Sequence, residues 1–181
     1  MSQKKKILFI LAFLFLLTGC VQGADAEYQT MKTPNIKRSP LEGRWIVTKV
    51  AFKNPESGVE VRNYIGKEAV FLKDIVIFSD EITEMPKYNM RKINTDKMLE
   101  LRYNSTRAGV GLASDSLFQV EVFENSKPLF VVYRDREDVA YIDLYGNLLQ
   151  VIKTKDNLDD SQIDLIKKTA AEGDRYHSDP F

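Results

Sequence analysis

From Leu41 onward the apolar residues recur with period two more often than with period 3.6, in short runs separated by turn residues. That pattern predicts an antiparallel β domain. The runs cover 44–52, 68–72, 75–78, 88–93, 100–103, 117–123, 129–133, 139–145 and 148–153. Within 117–123, Phe118, Val120 and Val122 alternate with Gln119 and Glu121, so one face is expected to meet a core and the other water. Lys73-Asp74 predicts a two-residue hairpin, and Gly146-Asn147 stands where a tight turn requires positive φ. Consecutive hairpins favour a meander, and eight or nine strands in roughly 110 residues suit a barrel or a sandwich. The stretch 82–86 is ambiguous, because Pro86 has no N–H for a ladder and belongs at an edge or a bulge. Asn94 to Met98 has the look of a helical turn. After residue 156 the pattern changes: Asp159, Asp160 and Ser161 can cap a helix, Ile163, Ile166 and Ala170 recur at spacings of three and four, and Gly173 is a natural stop. The expected fold is mainly β, an antiparallel up-and-down barrel of about eight strands with one C-terminal helix.

The first residues follow a different pattern. Lys4, Lys5 and Lys6 precede eleven uninterrupted apolar residues, Ile7 to Leu17. A membrane-crossing helix needs about 20 apolar residues, so this run reads as the apolar region of a secretory leader. Leu17-Thr18-Gly19-Cys20 then resembles the lipobox of bacterial lipoproteins, in which the cysteine receives a diacylglycerol and becomes the new N-terminus after cleavage. The resemblance implies a leader over 1–19, a lipid anchor on Cys20 and a membrane as the first partner. Each buried methylene of an acyl chain contributes about 0.8 kcal/mol, so two or three chains on one cysteine anchor a protein without spanning. Polar residues then continue to Pro40, a 20–40 tether whose root-mean-square span is about 25 Å. The folded domain is expected over 41–155, and 156–181 forms the helix and a tail that frays from Arg175. The implied location is the cell envelope, facing away from the cytoplasm.

Charge and reactive residues narrow the chemistry. The chain has 26 Lys and Arg against 26 Asp and Glu, and without the leader's three lysines the acidic residues exceed the basic ones. Nucleic-acid binding therefore lacks its electrostatic footprint. One Cys and one His are too few for a zinc or iron–sulfur centre, and spending the thiol on lipid removes cysteine nucleophiles. His177 is the fifth residue from the end, far from the rigidity that a catalytic triad demands. Asp80-Glu81 and Asp159-Asp160 are explained as turn and cap residues, and Arg134 to Asp138 as a charged hairpin turn. The glycines around Ala108 to Leu112 lack the Lys-Ser/Thr pair of a phosphate loop. No cofactor, no metal and no enzymatic activity are expected.

Leu41-Glu42-Gly43-Arg44-Trp45, a Gly-x-Trp at the start of the first strand, is similar to the opening of lipocalin and calycin barrels. The stretch Tyr64-Ile65-Gly66-Lys67 leading to Phe71 also resembles small lipocalin-like domains of bacterial secreted and lipid-anchored proteins. In that superfamily the tryptophan closes one end of the barrel and a late basic residue packs on its indole; Lys153 is placed for that role. The resemblance implies a binding protein. Trp45, Phe71, Phe118, Tyr133 and Tyr141 are then candidates to contact a small apolar or amphipathic ligand, with a pocket opening near 134–138 or 80–85. An eight-stranded barrel is also narrow enough for side chains to fill it. The alternative is accordingly a solid barrel whose outer face or C-terminal helix docks an envelope protein, in an assembly, immunity or inhibitor role.

Overall fold

The structure is a computed structural model that describes residues 39–177, with side chains described as far as Thr169. The leader, Cys20 and the tether up to residue 38 lie outside the described residues, as do the side chains of Ala170 and His177. Nine strands form one antiparallel sheet: β1 (Gly43–Phe52), β2 (Glu68–Phe71), β3 (Ile75–Phe78), β4 (Glu81–Glu84), β5 (Lys87–Asn94), β6 (Ser116–Glu124), β7 (Lys127–Arg134), β8 (Val139–Leu144) and β9 (Asn147–Lys155). Their order is β4-β3-β2-β1-β9-β8-β7-β6-β5. Every neighbour is consecutive in sequence except β1 and β9, the meander that the hairpins predict.

The expectation of a closed barrel of eight strands needs correction. Among the described residues no ladder joins β4 to β5, so the sheet is open there. The cause lies in the two residues between them: Met85 takes a left-handed φ of 49°, and Pro86 has no N–H, so the β3–β4 ladder cannot run on into β5. The sheet still curls on itself. Phe71 on β2 and Phe78 on β3 touch Phe130 on β7, at ring-centroid distances of 6.1 and 5.7 Å, from positions well separated in the strand order.

A second correction concerns the helices. One was expected; the described residues contain α1 (Thr95–Tyr103), α2 (Arg107–Val110) and α3 (Asp160–His177), besides a 3-10 turn at Val61–Tyr64. The predicted strand at 100–103 is the second half of α1. Asn94 Oδ1 accepts the Lys97 N–H and nucleates the helix, and Asn104 ends it in a left-handed conformation. Met98, Leu99 and Tyr103 then fall on one side and pack, with Val110 of α2 and Leu112 just after it, over Leu117, Tyr133, Tyr141 and Leu148. The face of β6 that was expected to meet water is therefore largely covered, and Gln119 is buried. α3 starts on a reciprocal cap between Asp159 and Gln162 and continues past Gly173 to His177. Ile166 and Leu158 pack against Val70, Ile75 and Ile77 on the outside of β2 and β3.

The turns hold closely to chemistry. Leu72 N–H bonds to Ile75 O across Lys73-Asp74 as predicted. In the β8–β9 turn the positive φ values belong to Tyr145 (54°) and Gly146 (79°), one residue earlier than expected, because Asn147 is buried and donates to Leu144 O.

Candidate functional site

Three regions could carry function: the interior of the curled sheet, its two ends, and the outer face. Inward-facing residues of β1, β2, β3, β6, β7, β8 and β9 form one cluster that includes Trp45, Val47, Phe71, Phe78, Val120, Val132, Ile142 and Leu149. A run of rings crosses it: Tyr64 stacks on Phe78 at 5.6 Å, Phe78 meets Phe130, and Phe130 meets Phe71. The interior is thus occupied by the protein's own side chains.

One end of the sheet is stoppered by the segment that enters β1. Trp45 Nε1 donates to Leu41 O at 2.8 Å, Leu41 is buried, and Arg134 Nη1 donates to Pro40 O at 2.7 Å. Lys153 Nζ stands 5.1 Å from the centroid of the Trp45 ring, opposite it in the β1–β9 register. The late basic residue therefore sits on the indole, where the family resemblance put it. Arg134 also lies over Phe118, 5.1 Å from its ring centre. The neighbouring turn is less solvated than its charges suggest: the side chain of Asp135 is buried and accepts the Ser114 N–H at 3.1 Å.

The five candidate ligand residues do not gather in one place. Trp45 and Phe71 belong to the inner core. Tyr133 and Tyr141 belong to the outer cluster beneath α1 and α2. Phe118 is partly exposed at the stoppered end, beside Arg134. Tyr141 donates to Gly111 O at 2.8 Å and receives a bond from Gln150, a link between α2 and the sheet.

The outer face carries a polar network that sequence reasoning missed. Arg102 Nη1 donates to Tyr133 OH at 2.7 Å, Tyr103 OH donates to Asp143 Oδ2 at 2.7 Å, and Arg102 Nη2 stands 3.5 Å from the same carboxylate. Asp143 Oδ1 accepts the Gly146 N–H at 2.9 Å, so its oxygens are occupied. Beside it opens a groove of about 330 Å³, walled by Leu129, Phe130, Tyr145 and Gly146. A larger groove of about 390 Å³ separates α3 from β2 and β3, where the Arg44–Glu68 and Lys67–Asp80 pairs face Leu165 and Ile166. The larger groove has no wall in the interior cluster around Trp45, and the smaller one meets that cluster only at Leu129 and Phe130, which pack against its edge. Tyr145 is the one signal that pointed here, since a large aromatic residue replaces the Asn, Asp or Gly such a turn prefers.

Burial raises the pKa of Tyr103, Tyr133 and Tyr141 above the ordinary phenol value; Asp143 reinforces the shift at Tyr103, while the charge and the hydrogen bond of Arg102 oppose it at Tyr133. A raised folded-state value means that the folded protein holds its protons longer than the unfolded chain. Their contribution to stability is complete below the unfolded phenol pKa of about 10 and declines as pH rises above it. Urea titrations should show the unfolding free energy falling as pH rises above about 10, by at most about 1.4 kcal/mol per pH unit for each such tyrosine, and Tyr103→Phe should flatten that slope. A stability independent of pH between about 9.5 and 11 would contradict the assignment.

Among the described residues, no group of three or more His, Cys, Asp or Glu side chains could hold a metal, and no helix is long and apolar enough to cross a membrane. No family model, curated protein or solved structure matches the chain.

Proposed function

We propose that this protein is a lipid-anchored component of a bacterial envelope, held by Cys20, whose lipocalin-like domain has a solid interior and acts through its outer surface on another protein. The anchor rests on the basic, apolar and Leu-Thr-Gly-Cys succession of the first twenty residues. The lipocalin-like relation draws on the consecutive strand order with β9 beside β1, and on Lys153 over Trp45. On that relation β4 and β5 correspond to one strand bent at Met85-Pro86.

The observation that carries the surface reading is the run of rings through the interior, Tyr64, Phe78, Phe130 and Phe71. A carrier needs a pocket of about 300 Å³ or more to bury a small ligand, and here those side chains take the interior. The outer face offers what a partner could grip. Leu101, Tyr145 and Leu165 are each well over half exposed, and exposed apolar side chains beside a rimmed groove suit protein contacts better than solvent. Photo-crosslinking residues placed at Leu101 and at Tyr145 in intact cells should each trap a protein of constant mass. Absence of any adduct, together with co-purification of a stoichiometric lipid, would favour the ligand carrier instead.

A further inference from the structure

We propose that the free edge of β5 is a docking site for an extended acidic segment of a partner protein, added to the sheet as a further strand. The inference rests on the surface-acting reading above and names the place and the chemistry. An open sheet has two edges, and here they differ. β4 is four residues long, and its Ile82 packs with Leu158 and Ile166 of the α3 region, so that edge is short and sheltered. β5 is eight residues long and, among the described residues, pairs only with β6.

The backbone bonds at its ends bracket the strand. Met85 N–H reaches Asp74 O before it, and Thr95 N–H reaches Asp115 O after it. Tyr88 OH donates to Leu72 O, which ties the start of β5 to the β2–β3 turn. From Asn89 to Asn94, no further backbone partner is found on the outer side among the described residues. About half of the N–H and C=O groups of such a strand point away from its one neighbour, ready for a second ladder.

The side chains decide what can pair there. Lys87, Asn89, Arg91 and Lys92 are exposed, and the strand holds no acidic residue. Arg91 reaches Glu121 at 3.8 Å; among the described residues Lys87 and Lys92 have no carboxylate partner. A second copy of this chain, joined edge to edge, would set these cations against one another, and lysines on an edge strand serve to prevent that pairing. The same charges favour a strand that alternates acidic with apolar residues. Charge complementarity thus points to a different chain, acidic along its length.

The test uses the full lipidated chain in nonionic detergent and an eight-residue peptide alternating Glu and Val, followed by fluorescence anisotropy. Saturable binding is expected, absent for the Lys/Val peptide and for a Glu/Val peptide with N-methylated backbone. Lys87→Glu together with Lys92→Glu should weaken it by about tenfold or more. Equal binding of the N-methylated peptide, or no binding of the Glu/Val peptide, overturns the proposal. In cells, a photo-crosslinker at Asn89 should trap an acidic peptide of another protein and lose it in the double variant. A self-dimer, an adduct with residues upstream of Ser39, or silence at Asn89 while Leu101 and Tyr145 still trap a partner, overturns the edge site and leaves the surface reading standing. Silence at all three positions overturns both.

Discussion

Replacing Trp45 by alanine is expected to lower the free energy of unfolding by about 3–5 kcal/mol, the range for deleting a large aromatic side chain from a packed core. Against a total of about 5–15 kcal/mol for a domain of this kind, that is a large fraction. Trp45 is fully buried, and three separate contacts depend on it. Its indole fills the end of the interior beside Leu41 and Phe71. Its N–H fixes Leu41 O, and so the path by which the chain enters β1. Its face receives Lys153, a contact that contributes about 0.5–2 kcal/mol depending on exposure. Trp45→Phe keeps most of the volume and a ring for the ammonium group but loses the bond to Leu41, so its cost should be clearly smaller. Urea unfolding followed by circular dichroism separates the two variants. A loss below about 1 kcal/mol for Trp45→Ala would mean that the end of the sheet can collapse around the gap, against the rigid stopper described above.

Changing Cys20 to serine should abolish membrane association rather than weaken it. On the proposed anchor, two acyl chains with some thirty methylenes between them would contribute, at about 0.8 kcal/mol each, far more than any surface contact of the domain. The apolar run 7–17 is too short to substitute as a span. Cell fractionation should find the wild-type chain in the membrane pellet and Cys20→Ser in the supernatant after salt washing. Intact-mass measurement should show acyl additions on a chain beginning at residue 20 in the wild type alone. A wild-type chain with an unmodified thiol or an uncut leader would contradict the anchor.

Strand positions were readable where one face of a strand alone is buried. β1 keeps Trp45 and Val47 inside with Arg44 and Ile46 less buried between them, so its alternation survives in the sequence. β4 was hard to see because an edge strand of Glu-Ile-Thr-Glu buries little. The segment 100–103 reads as a strand for a physical reason: in α1, Lys97, Glu100 and Arg102 interrupt the apolar residues, and no clean stripe remains. The helix is decided by the Asn94 cap and by the tyrosines beneath it, Tyr133 and Tyr141, which are distant in sequence. The same distance hid the polar network. Arg102 and Asp143 are separated by some forty residues with no spacing that marks them as a pair, and only folding brings them to 3.5 Å. Lys153 was recoverable in advance because the family resemblance specified a basic residue over the tryptophan; periodicity alone carries no such information. The aromatic residues picked as ligand contacts divided between two faces because large side chains fill the inner core and the layer under the helices alike.

Whether the interior is solid is tested most directly by titrating the Cys20→Ser protein with a fluorescent fatty acid. The packing of Phe71, Phe78 and Phe130 predicts no saturable, stoichiometric enhancement of emission, and no change in signal with Phe71→Ala beyond its effect on stability. Saturable one-to-one binding that a non-fluorescent lipid displaces, and that a charge introduced at Phe71 in a still-folded protein removes, would contradict the account.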